Sequence, residues 1–334
     1  MSTTSQPTTF LDLVTELLNA VRESTTVTAT SDIAKRYINR ALMDMHIDSE
    51  YPWAVRRDVL VTHPTYTTGT VTISQGATAV TGASTLWNTA NAWAQNNARV
   101  GGKFTINGSD VYDVTVVTSD TAITLGARFV KADVSASGYT YYEDEYAVAS
   151  DFWQPVDKRQ FTDSLPLELI GPREFYRRYP RNSITGTPKV ATLIDLGPSG
   201  STASRPRILL HPVPSTAMLI PYRYLTSNLA VTSAGAAAAN LSNDTDEPIV
   251  PLRYRHAIIL HALYFWYRDR KDDARSQQAR MEYTDLIRRI RQDTTPTEDH
   301  PRLVPDMRRY KANSFRGGFG RSRFDINGRF DRME

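Results

Sequence analysis

Cysteine is absent from the 334 residues, which excludes a disulfide framework, a thiolate metal site and a cysteine nucleophile, and fits assembly in a reducing cytoplasm. Long apolar runs are missing too: none reaches the roughly 18 residues needed to span a bilayer. The opening MSTTSQPTTF has no basic segment ahead of an apolar one, so a soluble chain without a signal peptide or a membrane partner is expected. Histidine is scarce, with six in all. The closest two, His256 and His261, would diverge by about 140° on a helix, unlike the i,i+4 pair of a zinc helix. No G-x-S-x-G, P-loop or dinucleotide fingerprint occurs, and Gly317-Gly318-Phe319-Gly320 lacks the strand and helix that would flank one. The expectation is a protein that is not an enzyme and holds neither cofactor nor metal.

Charge of one sign is barely in excess, at net +3. It is unevenly placed: 19 Lys/Arg stand against 12 Asp/Glu from Pro251 onward, and 20 against 24 before it. A chain of this length can bury a real core and hold two structural domains, one inserted into the other.

What is present reads as α+β. Thr9 with Asp12 forms a capping-box pattern, and Phe10, Leu13, Val14, Leu17 and Val21 fall on one helical face. After a Thr-rich break, Ser31 is placed to cap a second helix with Ala34, Tyr37, Ile38, Ala41, Leu42 and Met45 on its face, stopping near Tyr51-Pro52. Trp53, Val55, Val59 and Val61 suggest a strand leading into a small β-barrel or sandwich at 69–152, with turns at Gln75-Gly76, Thr81-Gly82, Asn107-Gly108 and Ser119-Asp120. A second, irregular antiparallel region follows, with a short helix at 172–179 and strands at 207–210 and 218–225. Residues 230–247 read as a loop or linker whose tetra-alanine could form a helical turn.

From Leu252 to about Arg291 the helical period is strongest. It would run about 60 Å uninterrupted, and the polar stretch at 268–273 places a break near Lys271. The aromatic first half belongs centrally, against the N-terminal helices. The domains expected are therefore a discontinuous helical domain (1–55 and 245–293), a β module (56–150), a second β region (151–244) and an extended C-terminal tail (294–334). That tail is rich in Pro, Gly and Arg and has no sustained period.

Two acidic groups invite a cation or catalytic reading, Glu143-Asp144-Glu145 and Asp244, Asp246 and Glu247. Neither has calcium-loop spacing. The first reads as a strand-end or subunit-contact feature; Asp246 and Glu247 suit the positive end of a following helix, with Pro248 and Pro251 at its start. In the tail, Arg, Gly and Phe interleave as in a flexible nucleic-acid-binding segment. Asp306, Asp325 and Asp331 interrupt it, which favours docking on an acidic or apolar-pocketed protein surface.

The segment carrying Gly69, Val71, Gly76, Val80, Thr81, Gly82, Thr85 and Trp87, followed by Asp144, Glu145, Tyr146, Asp151 and Phe152, resembles a module of tailed-bacteriophage head-to-tail adaptors. Ala149 stands where that family commonly has proline. The Tyr-Pro-Trp corner, the Phe175 to Pro180 element, Gly186-Thr187-Pro188, His211-Pro212-Val213-Pro214 and the long C-terminal helix extend the resemblance over nearly the whole chain. It implies a virion structural protein made in the bacterial host cytoplasm. There it forms a ring, expected to be dodecameric, beneath the portal at the head-tail interface, meets a tail or nozzle protein and extends the DNA channel, with non-specific DNA contact at most.

By the same resemblance, Arg308, Arg309, Tyr310, Phe315, Arg316, Phe319, Arg321 and Phe324 are portal-docking candidates. Tyr37, Leu42, Trp53, Leu263, Trp266 and Tyr283 are candidates for the helical core or for ring contacts. The alternative is a tail or baseplate protein whose β module binds a host receptor or glycan through Trp87, Trp93 and Tyr139 to Tyr142. Core packing is the competing reading of those aromatics.

Overall fold

Thr9 and Asp12 close the reciprocal cap the sequence announces: Thr9 Oγ1 accepts the Asp12 N–H at 3.2 Å and Asp12 Oδ2 accepts the Thr9 N–H at 3.0 Å. Hydrogen bonds from Thr8 and Thr9 hold the Asp12 carboxyl below its ordinary value. Helix α1 (Phe10–Val21) follows and buries Phe10, Leu13, Val14, Leu17 and Leu18. The computed structural model describes residues 6–106, 110–157, 159–162, 167–180, 183–196 and 205–294, together with two short strands at 322–324 and 330–332. The chain divides into two units, 1–284 and 285–334.

Helix α2 (Thr28–Asp48) starts three residues before the expected Ser31 cap. Its N-cap is Val27, extended and without a side-chain bond, and Ser31 lies inside the helix with its N–H donating to Val27 O at 3.0 Å. α2 buries Ala34, Ile38, Ala41, Leu42, Met45 and His46. A 3-10 turn at Pro52–Ala54 leads into β1 (Val55–Val61).

Seven strands come next: β2 (Thr70–Ile73), β3 (Ala79–Ala83), β4 (Lys103–Ile106), β5 (Tyr112–Ser119), β6 (Ala122–Leu125), β7 (Val134–Ser137) and β8 (Tyr139–Tyr142), ordered β7-β2-β3-β6-β5-β4-β8. The two outer members are consecutive and separated only by Gly138, so one bent strand pairs with β2 by its first half and with β4 by its second. The sheet is thereby curled shut, which leaves no long free edge to recruit another chain. Turns fall at Gln75-Gly76 and Asp120-Thr121. Thr81-Gly82, expected as a turn, lies inside β3, where Gly82 is needed for close approach: a Cβ there would stand 2.6 Å from the Thr85 methyl and 2.9 Å from the Trp87 ring. Asn107-Gly108 lies outside the described residues. Val71, Ile73, Val80, Trp87, Phe104 and Tyr139 are among the buried side chains filling the interior.

Beyond it lie β9 (Glu145–Ala147), β10 (Phe152–Pro155), β11 (Glu168–Leu169), helix α3 (Pro172–Arg178), β12 (Thr185–Gly186), β13 (Val190–Leu196), β14 (Arg205–His211), β15 (Val213–Pro214) and β16 (Leu219–Thr226). They form sheets β11-β13-β14-β9 and β1-β16-β10, plus the β12-β15 pair. β1, which the sequence leads into the β module, pairs along all seven residues with β16, from Val55↔Leu225 to Val61↔Leu219. Leu60, Tyr146, Phe152, Ile208, Ile220 and Tyr222 join these two sheets in one core.

Residues 230–248 are not the featureless linker their composition suggested. β17 (Ala230–Val231), β18 (Ala237–Ala238) and β19 (Glu247–Pro248) make a small sheet, and the tetra-alanine supplies β18 rather than a helical turn. Its loop carbonyls at Asp246 and Asp244 accept the Phe10 and Leu11 N–H groups at 2.8 and 3.0 Å, taking two donors that the start of α1 leaves open. Helices α4 (His256–Asp269) and α5 (Asp273–Thr294) are separated at Arg270–Asp272, with Lys271 in the left-handed region at φ 59°. This is the break expected near Lys271. α4 packs on α2 and α1.

In the second unit, β20 (Ser322–Phe324) and β21 (Phe330–Arg332) pair antiparallel, with Phe324 opposite Phe330. The tail expected to be extended therefore contains one antiparallel strand pair.

Candidate functional site

Three places carry the chemistry-bearing residues of the first unit: the helical base, the neck between the curled sheet and the rest, and the loop before β4.

In the base, Leu42, Trp266 and Tyr283 are buried, while Tyr37, Trp53 and Leu263 are half-buried. Tyr37 meets Trp266 edge-on at 6.1 Å, and Trp53 stacks on Tyr51 at 4.4 Å. Arginines cover the outward ring faces: Arg40 lies 4.3 Å over Phe265, Arg270 4.7 Å over Trp266, Arg268 5.3 Å over Tyr264 and Arg275 5.8 Å over Tyr267. Such contacts add about 0.5–1 kcal/mol each at exposed sites. On the α1 and α2 surfaces Leu11, Met43 and Ile47 remain 49%, 54% and 56% exposed.

Arg255, which sequence reasoning missed, ties the two chain ends together. It is buried, and its guanidinium donates to Val250 O at 3.0 Å, Pro248 O at 3.2 Å, Thr8 O and Glu247 Oε2 at 3.0 Å. Glu247 thus serves Arg255 rather than the positive end of a helix. Asp246 accepts the Ser242 and Asn243 N–H groups at 2.8 and 2.7 Å, and the Asn243 and Ser242 bonds hold its carboxyl below its ordinary value.

At the neck, the acidic run is taken up in a charge-matched joint. Glu143 receives Arg99 through both carboxylate oxygens and the Tyr141 hydroxyl at 2.8 Å. Tyr146 Oη donates to Glu143 O at 2.8 Å and accepts the His63 N–H at 3.2 Å, so one hydroxyl bridges both chain crossings. Lys103 reaches Asp113 at 2.6 Å and Glu145 at 3.9 Å, and Arg207 reaches Glu145 at 3.9 Å. Burial opposes the charges on Arg99 and Lys103; their carboxylate partners more than offset it and raise both above their usual values. Burial likewise pushes the Tyr141 and Tyr146 phenols up, keeping them as neutral donors. A cleft of about 290 Å³ opens here, between the free side of β1 and residues 99–102. That edge is guarded: Asp58 accepts the Val59 N–H at 2.8 Å and the Tyr222 hydroxyl at 2.9 Å. The neck can fix the orientation of two sheets. Among the described residues no group of three or more His, Asp or Glu could hold a metal ion.

Most of the aromatics that the glycan-binding alternative would use are core, as the competing reading of them has it. Trp87, Tyr139, Tyr141 and Tyr142 are buried; Trp87 Nε1 donates to Tyr139 Oη at 2.9 Å, which donates to Thr68 O at 2.8 Å. A polar partner inside lets a large ring be buried whole. Trp93 alone of that set is exposed, at 46%.

His256 and His261 serve no common site. His256 lies 3.6 Å from Glu16 on the surface; His261 lies 3.3 Å from Asp44 and packs on Tyr283 at 4.2 Å. Of the tail candidates, Phe324 lies in β20; Arg308, Arg309, Tyr310, Phe315, Arg316, Phe319 and Arg321 lie outside the described residues. No helix among the described residues is long and apolar enough to cross a membrane. No protein-family model matches the chain, and no curated protein matches it.

Proposed function

We propose that this protein is a structural subunit of a tailed-bacteriophage head-to-tail adaptor: a ring beneath the portal that joins capsid to tail and continues the DNA channel. On this reading residues 1–55 and 245–293 form a helical ring domain into which the β module (56–150) and the second β region (151–244) are inserted. The tail from 294 reaches the portal through the Arg and Phe positions named above. It works in the virion at the head-tail interface, catalyses nothing and needs no cofactor.

The observation that supports the reading most is the packing of α4 on α1 and α2, reinforced by Arg255 joining Thr8 to residues 247–250. Helices from opposite ends of the chain make one base, and the strands between them are carried on it. Exposed Leu11, Met43 and Ile47 offer apolar contacts of the kind a heterologous, ring-closing interface needs. Ring multiplicity would offset the weak affinity of any one tail for the portal by avidity.

Deleting everything after Thr294 is the test. The truncated protein is expected to fold and to lose portal binding; normal portal binding by the truncated protein would sink the tail assignment. The glycan- or receptor-binding alternative keeps Trp93 alone of its aromatic set.

A further inference from the structure

We propose that the loop at 84–98 is a binding site for a neutral saccharide, with the Trp93 indole as its stacking surface. The proposal goes beyond the adaptor reading and does not depend on it.

The loop is built to hold one ring in place. Asn91 Oδ1 accepts the N–H groups of Trp93 and Gln95 at 2.9 and 3.1 Å, and backbone bonds run from Asn91 to Gln95 and from Asn97 to Thr89 at 2.7 and 3.0 Å. Asp120, in the turn between β5 and β6, anchors the start of the loop by accepting the Asn88 N–H at 2.8 Å and the Thr89 hydroxyl at 3.1 Å. His63 at the neck bonds Asn96 O at 2.9 Å. Three of the six non-glycine residues with positive φ among the described residues are here: Ser84, Leu86 and Ala94, at 56°, 52° and 55°. Strained backbone of this kind persists only where its surroundings over-determine it, and it clusters at binding sites. A loop fixed before binding loses little entropy on binding.

The surface is chemically selective. Residues 59–98 contain no Asp, Glu, Lys or Arg, and the Asp120 carboxylate that meets the loop is taken up by the Asn88 N–H and the Thr89 hydroxyl, so the loop's own residues do not steer in a charged ligand. Ala92 and Ala94, both exposed, flank Trp93, which is itself 46% exposed. Asn88, Asn96 and Asn97 each commit one end of the amide within the loop, through Asn96 Nδ2 to Asn88 Oδ1 at 3.0 Å and Asn97 Nδ2 to Leu86 O at 2.9 Å. Asn88 Nδ2, Asn96 Oδ1 and Asn97 Oδ1 are left as donor and acceptors. A half-exposed indole and uncharged amides carried on one loop suit the C–H face and hydroxyls of a neutral sugar. A protein partner would call for a wider apolar core with a charged or polar rim.

The experiment is a binding screen of the full-length protein against immobilised neutral hexose and N-acetylhexosamine oligosaccharides, with sialylated and uronic-acid oligosaccharides as charged comparators. Binding is expected to neutral members, with equal strength at low and high salt. It should be abolished in Trp93→Ala, partly kept in Trp93→Phe and unchanged in Trp153→Ala, a second exposed tryptophan at 36%. Asn91→Ala, which unseats the ring without removing it, is expected to weaken binding at least several-fold while circular dichroism stays unchanged. The proposal is overturned by no binding to any neutral oligosaccharide, by binding only to charged ones, by binding that survives Trp93→Ala, or by Trp93 capturing a protein when no saccharide binds. Portal binding is scored separately, so failure here leaves the adaptor reading standing, and the reverse.

Discussion

The curled sheet and the helical base spend their aromatic residues in opposite ways. Inside the sheet, Trp87, Phe104, Tyr139 and Tyr141 are buried and their polar atoms find partners within the module. In the base, Tyr264, Phe265, Trp266 and Tyr267 carry arginines on their outward faces. The first pattern closes a region on itself; the second leaves a cationic, partly apolar surface. A region whose large rings are turned inward can project as an arm, and one dressed in stacked arginines is suited to being covered by a neighbour.

The largest effects should come from attacking each closure directly. Trp87→Ala removes the ring at the centre of the curled sheet and is expected to destabilise it by about 3–5 kcal/mol. Hydrogen exchange should rise at β2–β8 while the amides of α2 and α4 stay protected; equal deprotection of both would show that the two regions do not fold as separate units. Arg255→Met strikes the base instead. It strands the carbonyls of Thr8, Pro248 and Val250 while the half-exposed Glu247 carboxylate is left to water, and a loss of about 1–3 kcal/mol is expected in urea unfolding, with exchange rising at α1 first.

A smaller difference should separate the regions by pH. His46, buried beside Trp153 at 4.6 Å, and His261 are both held below the model-compound value of 6.5 by burial, which Asp44 partly opposes at His261. The unfolded chain therefore takes up protons at these rings before the folded one does, and stability is expected to fall as pH drops below 6.5. His46→Gln should flatten that dependence; an unchanged slope in His46→Gln/His261→Gln would remove the histidines from the account. The least effect belongs to single arginines of the base. Arg270→Ala loses a contact over Trp266 and an exposed pair with Glu23 at 2.5 Å, for about 0.5–1 kcal/mol, visible as a small shift in the thermal midpoint.

How far these regions could be read in advance follows from the range of the interactions that make them. The Thr9–Asp12 cap and the break at Lys271 are local, set within a few residues, and both were legible. The partnership of β1 with β16 joins residues about 160 apart, and nothing in VRRDVLV names its mate. Closure of the curled sheet turns on Gly138, one residue between two half-strands, which reads simply as another turn signal. Trp87 and Trp93 stand in similar uncharged surroundings, yet one is fully buried and the other exposed, a difference fixed by Tyr139, 52 residues away. Arg99 and Arg255 were missed for the same reason: their partners, Glu143 and the carbonyls at 8 and 248–250, are distant or on the backbone.

The central proposal is that this chain is a ring subunit whose helical base packs around the ring and whose C-terminal tail docks on a portal. Electron microscopy of the purified protein mixed with the portal of the same virus tests it most directly. The account expects closed rings coaxial with the portal, helical base inward and curled sheet projecting to the outside. Particles in which the protein stays monomeric and the portal rings stay bare would contradict it.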